Sequence, residues 1–156
     1  MTVHPARLLY RERLWAPWPV WLVVMSLIAT LGIAYGAAAG AAVGVGTSLL
    51  AGSLAAALLL RSGAIVAVST HELRAGRARI PLVGVGSAVA LDAERTGWLR
   101  GPGIDPSAFM VMRGWIPTAV LVEILDEHDP TPYWLISSRS PARLTAAIET
   151  ARTGQG

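Results

Sequence analysis

The chain has 156 residues, of which 53% are hydrophobic and 15% are charged, and its formal net charge is +3. It contains no cysteine, which excludes disulfide bonds, thiolate catalysis and zinc sites built on cysteine. Beyond residue 61 the basic and acidic residues nearly cancel, so the basic face of a nucleic-acid-binding protein is missing and no nucleic-acid partner is expected.

An uncharged segment dominates the first part of the chain. Residues 14–60 contain no Asp, Glu, Lys, Arg or His, which is long enough for two membrane crossings. The sequence predicts a transmembrane two-helix hairpin over residues 18–60, with helices at about 18–35 and 41–60. Residues 36–40, all Gly or Ala, are the expected turn. We therefore expect a multi-pass protein of the cell (inner or plasma) membrane.

Basic residues flank the predicted hairpin on both sides, within about 20 residues of its ends. They are Arg7, Arg11, Arg13, Arg61, Arg74, Arg77 and Arg79. Because positive charge accumulates on cytoplasmic flanks, both termini are expected in the cytoplasm. A cleaved signal peptide is the alternative, since small residues follow the first apolar run. The Trp- and Pro-rich lead-in favours an interfacial anchor instead, and a second span would return the chain to the cytoplasm in either case.

Small residues recur every four positions through this segment. The series is Gly32, Gly36, Gly40, Gly44 and Ser48. Such spacing lets membrane helices approach closely, and it raises the hypothesis of a homodimer through the hairpin at Gly44, Ser48 and Gly52. The series crosses the predicted turn, however, and cannot form one continuous face. We favour the interpretation that it reflects the abundance of Gly and Ala here.

The remainder is predicted to form a cytoplasmic α+β domain over residues 62–156, separate from an N-terminal arm of residues 1–17. Short β-branched segments between turn residues indicate a bent antiparallel sheet of about six or seven strands. The expected strands are 65–69, 72–75, 79–82 continuing into 85–91 with a bend at Pro81 and Gly84, 108–113, 119–125 and 133–137. A loop is expected over 97–106, and Asp129-Pro130-Thr131-Pro132 is an expected turn.

A C-terminal helix is predicted over residues 141–152, with Ser140 as N-cap and Pro141 at the first helical position. Its apolar stripe should pack on the sheet. The stripe comprises Leu144, Ala147, Ile148 and Ala151. A bent antiparallel sheet closed by one such helix fits the outline of a pleckstrin-homology-like (PH-like) domain.

Three stretches carry a family resemblance. They are Tyr10-Arg-Glu-Arg-Leu-Trp-Ala-Pro17, His71-Glu-Leu-Arg-Ala-Gly76 with Ile80-Pro-Leu82, and Asp129-Pro-Thr-Pro-Tyr-Trp-Leu-Ile-Ser-Ser-Arg139. Together they resemble a family of small actinobacterial membrane proteins defined as a domain of unknown function, over about residues 10–148. The resemblance implies two spans and a cytoplasmic PH-like domain. It implies no activity and no catalytic residues.

Arginines that follow the predicted membrane exit are candidates for contact with anionic lipid headgroups. They are Arg61, Arg74, Arg77 and Arg79. The simpler alternative is that they only fix the topology. A candidate protein-interaction surface comprises Arg113, Trp115 and Arg139, since Trp and Arg are enriched at binding hot spots. The alternative there is a structural role, with Trp134 in the core of the last strand.

Two polar clusters are candidate sites of chemistry. Residues 126–129 bring three carboxylates and the His128 imidazole together, which could hold a hard cation, but a solvated turn is the favoured interpretation. His71 beside Glu72 is likewise interpreted as a turn residue rather than a general base. No catalytic residue, metal site or cofactor is predicted, and the protein is expected not to be an enzyme.

The function expected from the sequence is that of a membrane-anchored non-enzymatic adaptor. Its cytoplasmic domain would bind a protein partner or the inner leaflet. The alternative is a small accessory subunit of a larger membrane complex, which acts through its transmembrane hairpin. The expected partners are membrane lipids and a membrane or cytoplasmic protein. Because one fold supports many functions, these remain hypotheses about class.

Overall fold

The computed structural model describes residues 7–126 and 130–154. The chain divides into two compact units, one made of residues 1–14 and 64–156 and the other of residues 15–63. We call the first unit the domain and the second the hairpin. In chain order the hairpin is therefore an insertion within the domain, after its first strand.

The hairpin consists of α1 (Trp18–Ala39) and α2 (Ala41–Arg61). Both helices are long and apolar enough to cross a membrane, and only 6% of the most apolar stretch of each is buried. Large apolar side chains such as Leu27, Ile33 and Leu50 are exposed on their surfaces. A soluble protein would bury core helices of this composition, whereas lipid suits such a surface. The two predicted helices are thus present, and their surface fits a membrane.

The turn of the hairpin is shorter than predicted. Residues 36–39, expected in the turn, continue α1 by about one helical turn. Only Gly40 interrupts the helices, with a φ of 98° that residues with a Cβ rarely adopt. The Ala residues before it are good helix formers, which explains why α1 runs on to Ala39.

The described residues of the domain form eight strands in two four-stranded sheets, ordered β1-β2-β3-β4 and β5-β7-β8-β6. The strands are β1 (Leu8–Leu14), β2 (Ala64–Ser69), β3 (Glu72–Ala75), β4 (Ala78–Pro81), β5 (Val85–Leu91), β6 (Phe109–Val111), β7 (Ala119–Ile124) and β8 (Tyr133–Ser137). The prediction of a single antiparallel sheet of six or seven strands was wrong. The chain forms two sheets, and β6 pairs with β8 in parallel.

The first strand comes from the arm that the sequence-based division kept apart from the domain. β1 pairs antiparallel with β2, and Leu14 lies opposite Ala64. Side chains alternate along β1, so that Tyr10, Glu12 and Leu14 are more buried than the exposed arginines between them. Leu14 is fully buried in the core. Residues 8–14 are therefore a structural part of the domain.

The predicted bent strand over 79–91 is two strands in different sheets. Pro81 ends β4, and a single 3-10 turn, Leu82–Gly84, leads into β5. Proline has no N–H to donate to a strand ladder, which explains why the pairing stops there. The Leu82 N–H instead donates to the His71 carbonyl at 3.0 Å. The chain then continues in the second sheet.

A short helix, α3 (Ala93–Arg100), was not predicted. Asp92 caps it, since its carboxylate accepts a hydrogen bond from the Arg95 N–H at 2.8 Å. The predicted loop over 97–106 therefore starts only after Arg100. Gly97 lowers the helix propensity of this segment, and that is why its pattern resembles a loop.

One hydrophobic core joins both sheets to the C-terminal helix, α4 (Pro141–Thr153). Its members include Leu14, Val66, Leu73, Val120, Val122, Trp134, Ile136, Leu144 and Ile148. The predicted helix and its apolar stripe are confirmed. Trp134 is 4% exposed, and its ring lies 4.9 Å from that of Phe109. A smaller cluster around Leu91 and Leu135 supports the second sheet separately.

Candidate functional site

The outer face of the first sheet carries a line of arginines from three strands. Arg11 on β1 lies opposite Ala67 on β2, and Ala67 lies opposite Arg74 on β3. Arg74 in turn lies opposite Arg79 on β4. Directly paired residues project from the same face of a sheet. We call Arg11, Arg74 and Arg79 the arginine row.

A shallow cleft of about 340 Å³ lies on this face. Arg11 and Arg74 line it, together with Ala67, whose small side chain separates them in the row. Glu72 is the acidic residue among those that line the cleft. Arg74 is partly fixed, because its Nε donates to the Gly76 carbonyl at 3.2 Å. The cleft is therefore a shallow depression in the sheet surface that is lined by two arginine side chains.

The row is electrostatically unfavourable for the isolated domain. Arg74 and Arg79 face each other directly, and like charges at such positions destabilise a sheet by up to about 1 kcal/mol. Arg11 and Arg79 are exposed to solvent. A cost of this kind is typical of positions that serve binding.

The predicted headgroup residues are only partly brought together. Arg74 and Arg79 share the row, and Arg77 is exposed in the turn between their strands. Arg61 ends α2 and belongs to the hairpin. The sequence interpretation missed Arg11. Its only signal was the alternation of arginines with Tyr10, Glu12 and Leu14, which is typical of a strand.

A second polar site links β1 to the segment that leads into α4. The Glu12 carboxylate accepts hydrogen bonds from the Tyr10 hydroxyl at 2.8 Å and the Ser138 hydroxyl at 2.7 Å. Its other oxygen accepts from the Arg139 N–H at 2.9 Å. The Ser140 N–H at the beginning of α4 donates to the Ser138 oxygen at 3.1 Å. We call Tyr10, Glu12, Ser138 and Arg139 the Glu12 cluster.

Burial strengthens the hydrogen bonds of the Glu12 cluster. The Glu12 side chain is only 12% exposed, and Ser138 is fully buried. Burial raises the pKa of the Tyr10 hydroxyl, and the Glu12 carboxylate adds to the rise, while the hydrogen bond with Ser138 and the Arg143 guanidinium oppose it. Tyr10 therefore stays neutral and donates to Glu12 at physiological pH. The Arg139 guanidinium also donates to the Arg13 carbonyl at 3.2 Å, which adds a second link to β1.

The sequence of the chain matches a known protein family. A family model described as "Protein of unknown function (DUF3093)" matches residues 9–148. The chain belongs to this family. No curated protein and no solved structure matches it significantly.

Two of the stretches that suggested a domain of unknown function meet at the Glu12 cluster. Tyr10 and Glu12 come from the first stretch, and Ser138 and Arg139 come from the last. Both lie within the DUF3093 match. In this DUF3093 protein they form a structural fastener between β1 and the beginning of α4.

The residues of the candidate interaction surface make structural contacts within the domain. Trp115 packs against the main core, and its buried indole N–H has no hydrogen-bond partner within the described residues. The Arg113 N–H donates to the Ser137 hydroxyl at 3.0 Å, and its guanidinium donates to the Met112 carbonyl. Arg139 belongs to the Glu12 cluster. Gly114, between Arg113 and Trp115, is exposed and has open space where a Cβ would stand.

The small residues of the hairpin form the contact between its own helices. A Cβ on Gly44 would stand 2.7 Å from the Gly36 Cα and would also strike the Gly32 carbonyl oxygen. A Cβ on Gly32 would strike the Ser48 hydroxyl. Gly52 faces open space. Gly44 and Ser48, considered for a homodimer, thus already pack within one hairpin, and the dimer remains a hypothesis.

The acidic turn falls largely outside the described residues. Glu127, His128 and Asp129, and with them the start of the predicted Asp129-Pro130 turn, belong to that part. Asp126 is exposed after β7. His71 lies in the turn between β2 and β3, where the Ser69 hydroxyl accepts from the N–H groups of His71 at 3.4 Å and Glu72 at 3.1 Å. Its position is that of a turn residue.

Proposed function

We propose that the protein is a membrane-anchored, non-enzymatic adaptor with a PH-like domain on the cytoplasmic side of the cell membrane. The domain binds a protein partner or the inner leaflet. The observation that carries the proposal is the pairing of Leu14 with Ala64, which brings the two ends of the hairpin together. Two sheets packed on one C-terminal helix support the PH-like assignment.

The pairing supports one orientation for both termini. Leu14 precedes α1 and Ala64 follows α2, and residues paired in an antiparallel ladder lie about 4.5–5.5 Å apart. A chain that leaves and re-enters the same sheet at adjacent points has both flanks of the hairpin on one side of the membrane. Arginines on both flanks favour the cytoplasm as that side.

Thiol labelling tests the orientation, because the chain has no native cysteine. Ala38→Cys lies near the hairpin turn and Ala142→Cys on α4, and both positions are exposed. In intact bacterial cells a membrane-impermeant maleimide should label Ala38→Cys and leave Ala142→Cys unlabelled. After lysis it should label both. Labelling of Ala142→Cys in intact cells would contradict the cytoplasmic placement.

A second candidate function is that of an accessory subunit. It is favoured by a groove of about 600 Å³ along the hairpin, lined by small and apolar residues including Gly36, Val45 and Leu49. Small residues at a helix surface allow another membrane helix to approach. The adaptor and the accessory subunit differ in which part of the chain contacts the partner.

Photo-crosslinking of the full-length protein in native membranes separates the two functions. A photoreactive residue is placed at Gly114 in the domain or at Leu49 in the groove, both of which are exposed. We expect a discrete protein or lipid adduct from Gly114, whereas Leu49 should give adducts to the surrounding lipid and none to a protein. Adducts to a membrane protein from Leu49 alone would replace the adaptor by the accessory subunit.

A further inference from the structure

The two end residues of the arginine row project away from the core of the domain. Arg11 and Arg79 are exposed, and the Arg74–Arg79 pairing opposes like charges. Arg13, two residues after Arg11 in β1, is exposed as well. With Glu72 as the carboxylate lining the cleft, the face keeps an excess of positive charge. An anionic ligand would relieve this repulsion.

We propose that the outer face of the first sheet binds the anionic headgroups of the membrane that holds the hairpin. Arg11, Arg74 and Arg79 are the contact residues. The inference rests on the proposed membrane-anchored function and names the ligand class and the site.

The short connections to the hairpin argue for lipid. Only residues 15–17 separate β1 from α1, and residues 62–63 separate α2 from β2. Even a fully extended chain keeps Arg11 within roughly 25 Å of Trp18, whatever the tilt of the domain. The headgroups are thus an anion present at high local concentration, and the inner leaflet is negatively charged.

The spacing of the row argues for a surface rather than for one small anion. Arg11 and Arg79 lie on the outermost strands of a four-stranded sheet. With neighbouring strands about 4.8 Å apart, the row extends over roughly 14 Å. This span matches adjacent headgroups of a bilayer better than it matches a single phosphate. The cleft over Ala67 suits one phosphate between Arg11 and Arg74.

Lipid binding to the purified full-length protein tests the site. Native mass spectrometry of the protein in detergent gives apparent Kd values for phosphatidylglycerol and for phosphatidylcholine, and we expect tighter binding of the former. The double variant Arg11→Gln with Arg79→Gln should reduce this preference by up to about 25-fold, because each surface arginine contributes roughly fivefold. Arg74 is left unchanged, since its Nε supports the Gly76 turn.

The matched control is Arg95→Gln with Arg100→Gln, which removes two exposed charges from α3. It should keep the preference of the unaltered protein. If both double variants lose the preference equally, or if neither does, the row is not a headgroup site. A hexaglutamate peptide is tested in parallel. If its binding requires Arg11 and Arg79 while the lipid preference does not, the face binds an acidic protein and the proposal is overturned.

The two proposals fail separately. Detergent-purified protein has no sidedness, so a preference that depends on Arg11 and Arg79 stands even if thiol labelling finds the domain outside. Conversely, the loss of that preference leaves a cytoplasmic, anchored adaptor that works through another surface.

Discussion

Replacing Glu12 by alanine should lower the free energy of unfolding of the domain by about 3 kcal/mol. The substitution removes the acceptor for the buried Ser138 hydroxyl and for the Arg139 N–H. It takes the carboxylate away from the fully buried Ser138 hydroxyl, and the Tyr10 hydroxyl loses its acceptor as well. It also weakens the tie between β1 and the beginning of α4. The measurement is urea denaturation of the full-length protein in detergent, followed by tryptophan fluorescence.

Two variants make this result specific. Glu12→Gln keeps one carbonyl acceptor and should fall between alanine and the unaltered protein. Glu94→Ala removes an exposed carboxylate from the first turn of α3 and should cost no more than about 1 kcal/mol. If Glu12→Ala is no more destabilising than Glu94→Ala, the Glu12 cluster does not fasten the domain.

Replacing Gly44 by leucine should force the two helices of the hairpin apart. Its Cβ would stand 2.7 Å from the Gly36 Cα, which is closer than real Cβ atoms approach other heavy atoms, so the two backbones must separate. The rest of the side chain adds to this, and we expect about 2 Å, the spread of interaxial distances between helices with small and large contact residues. Backbone atoms, unlike flexible side chains, cannot move aside cheaply.

Pulsed electron paramagnetic resonance measures the separation. Spin labels are attached to cysteines at Leu27 on α1 and Leu54 on α2, which are exposed, in a chain without other cysteines. Gly52→Leu is the matched control, because nothing lies within 4 Å of its Cβ position. The distance distribution should lengthen or broaden with Gly44→Leu and stay unchanged with Gly52→Leu. An unchanged distribution in both would mean that Gly44 is not at the helix contact.

Local patterns were sufficient for most of the individual elements. The uncharged segment of residues 14–60 predicted two helices, and short β-branched segments between turn residues predicted β2, β3, β7 and β8. α4 carried a proline at its first position and an apolar stripe, so its bounds were also correct to within a residue. These signals depend on neighbours within a few positions, and a single sequence contains them completely.

The features that were missed depend on partners far away in the sequence. From the sequence alone, residues 8–14 resemble a basic arm. Their pairing with β2, which follows the hairpin in the chain, identifies them as a strand. The arginine row requires the register of four strands, and the Glu12 cluster joins residues separated by 126 positions or more. The glycine series spans the turn at Gly40, as the sequence predicts. That its two halves face each other follows only from the three-dimensional packing of α1 on α2.

The position of β1 ahead of the hairpin has a consequence for biosynthesis. At about 5–20 residues per second, translation of residues 15–63 takes roughly 2–10 s. During this time β1 has been synthesised, but its partner β2 has not. In a chain anchored by this hairpin, β2 reaches β1 only if α2 has crossed back. A failed return would leave the two strands on opposite sides of the bilayer, β2 with an open edge and the core without Leu14. A wrongly inserted chain therefore cannot complete the first sheet.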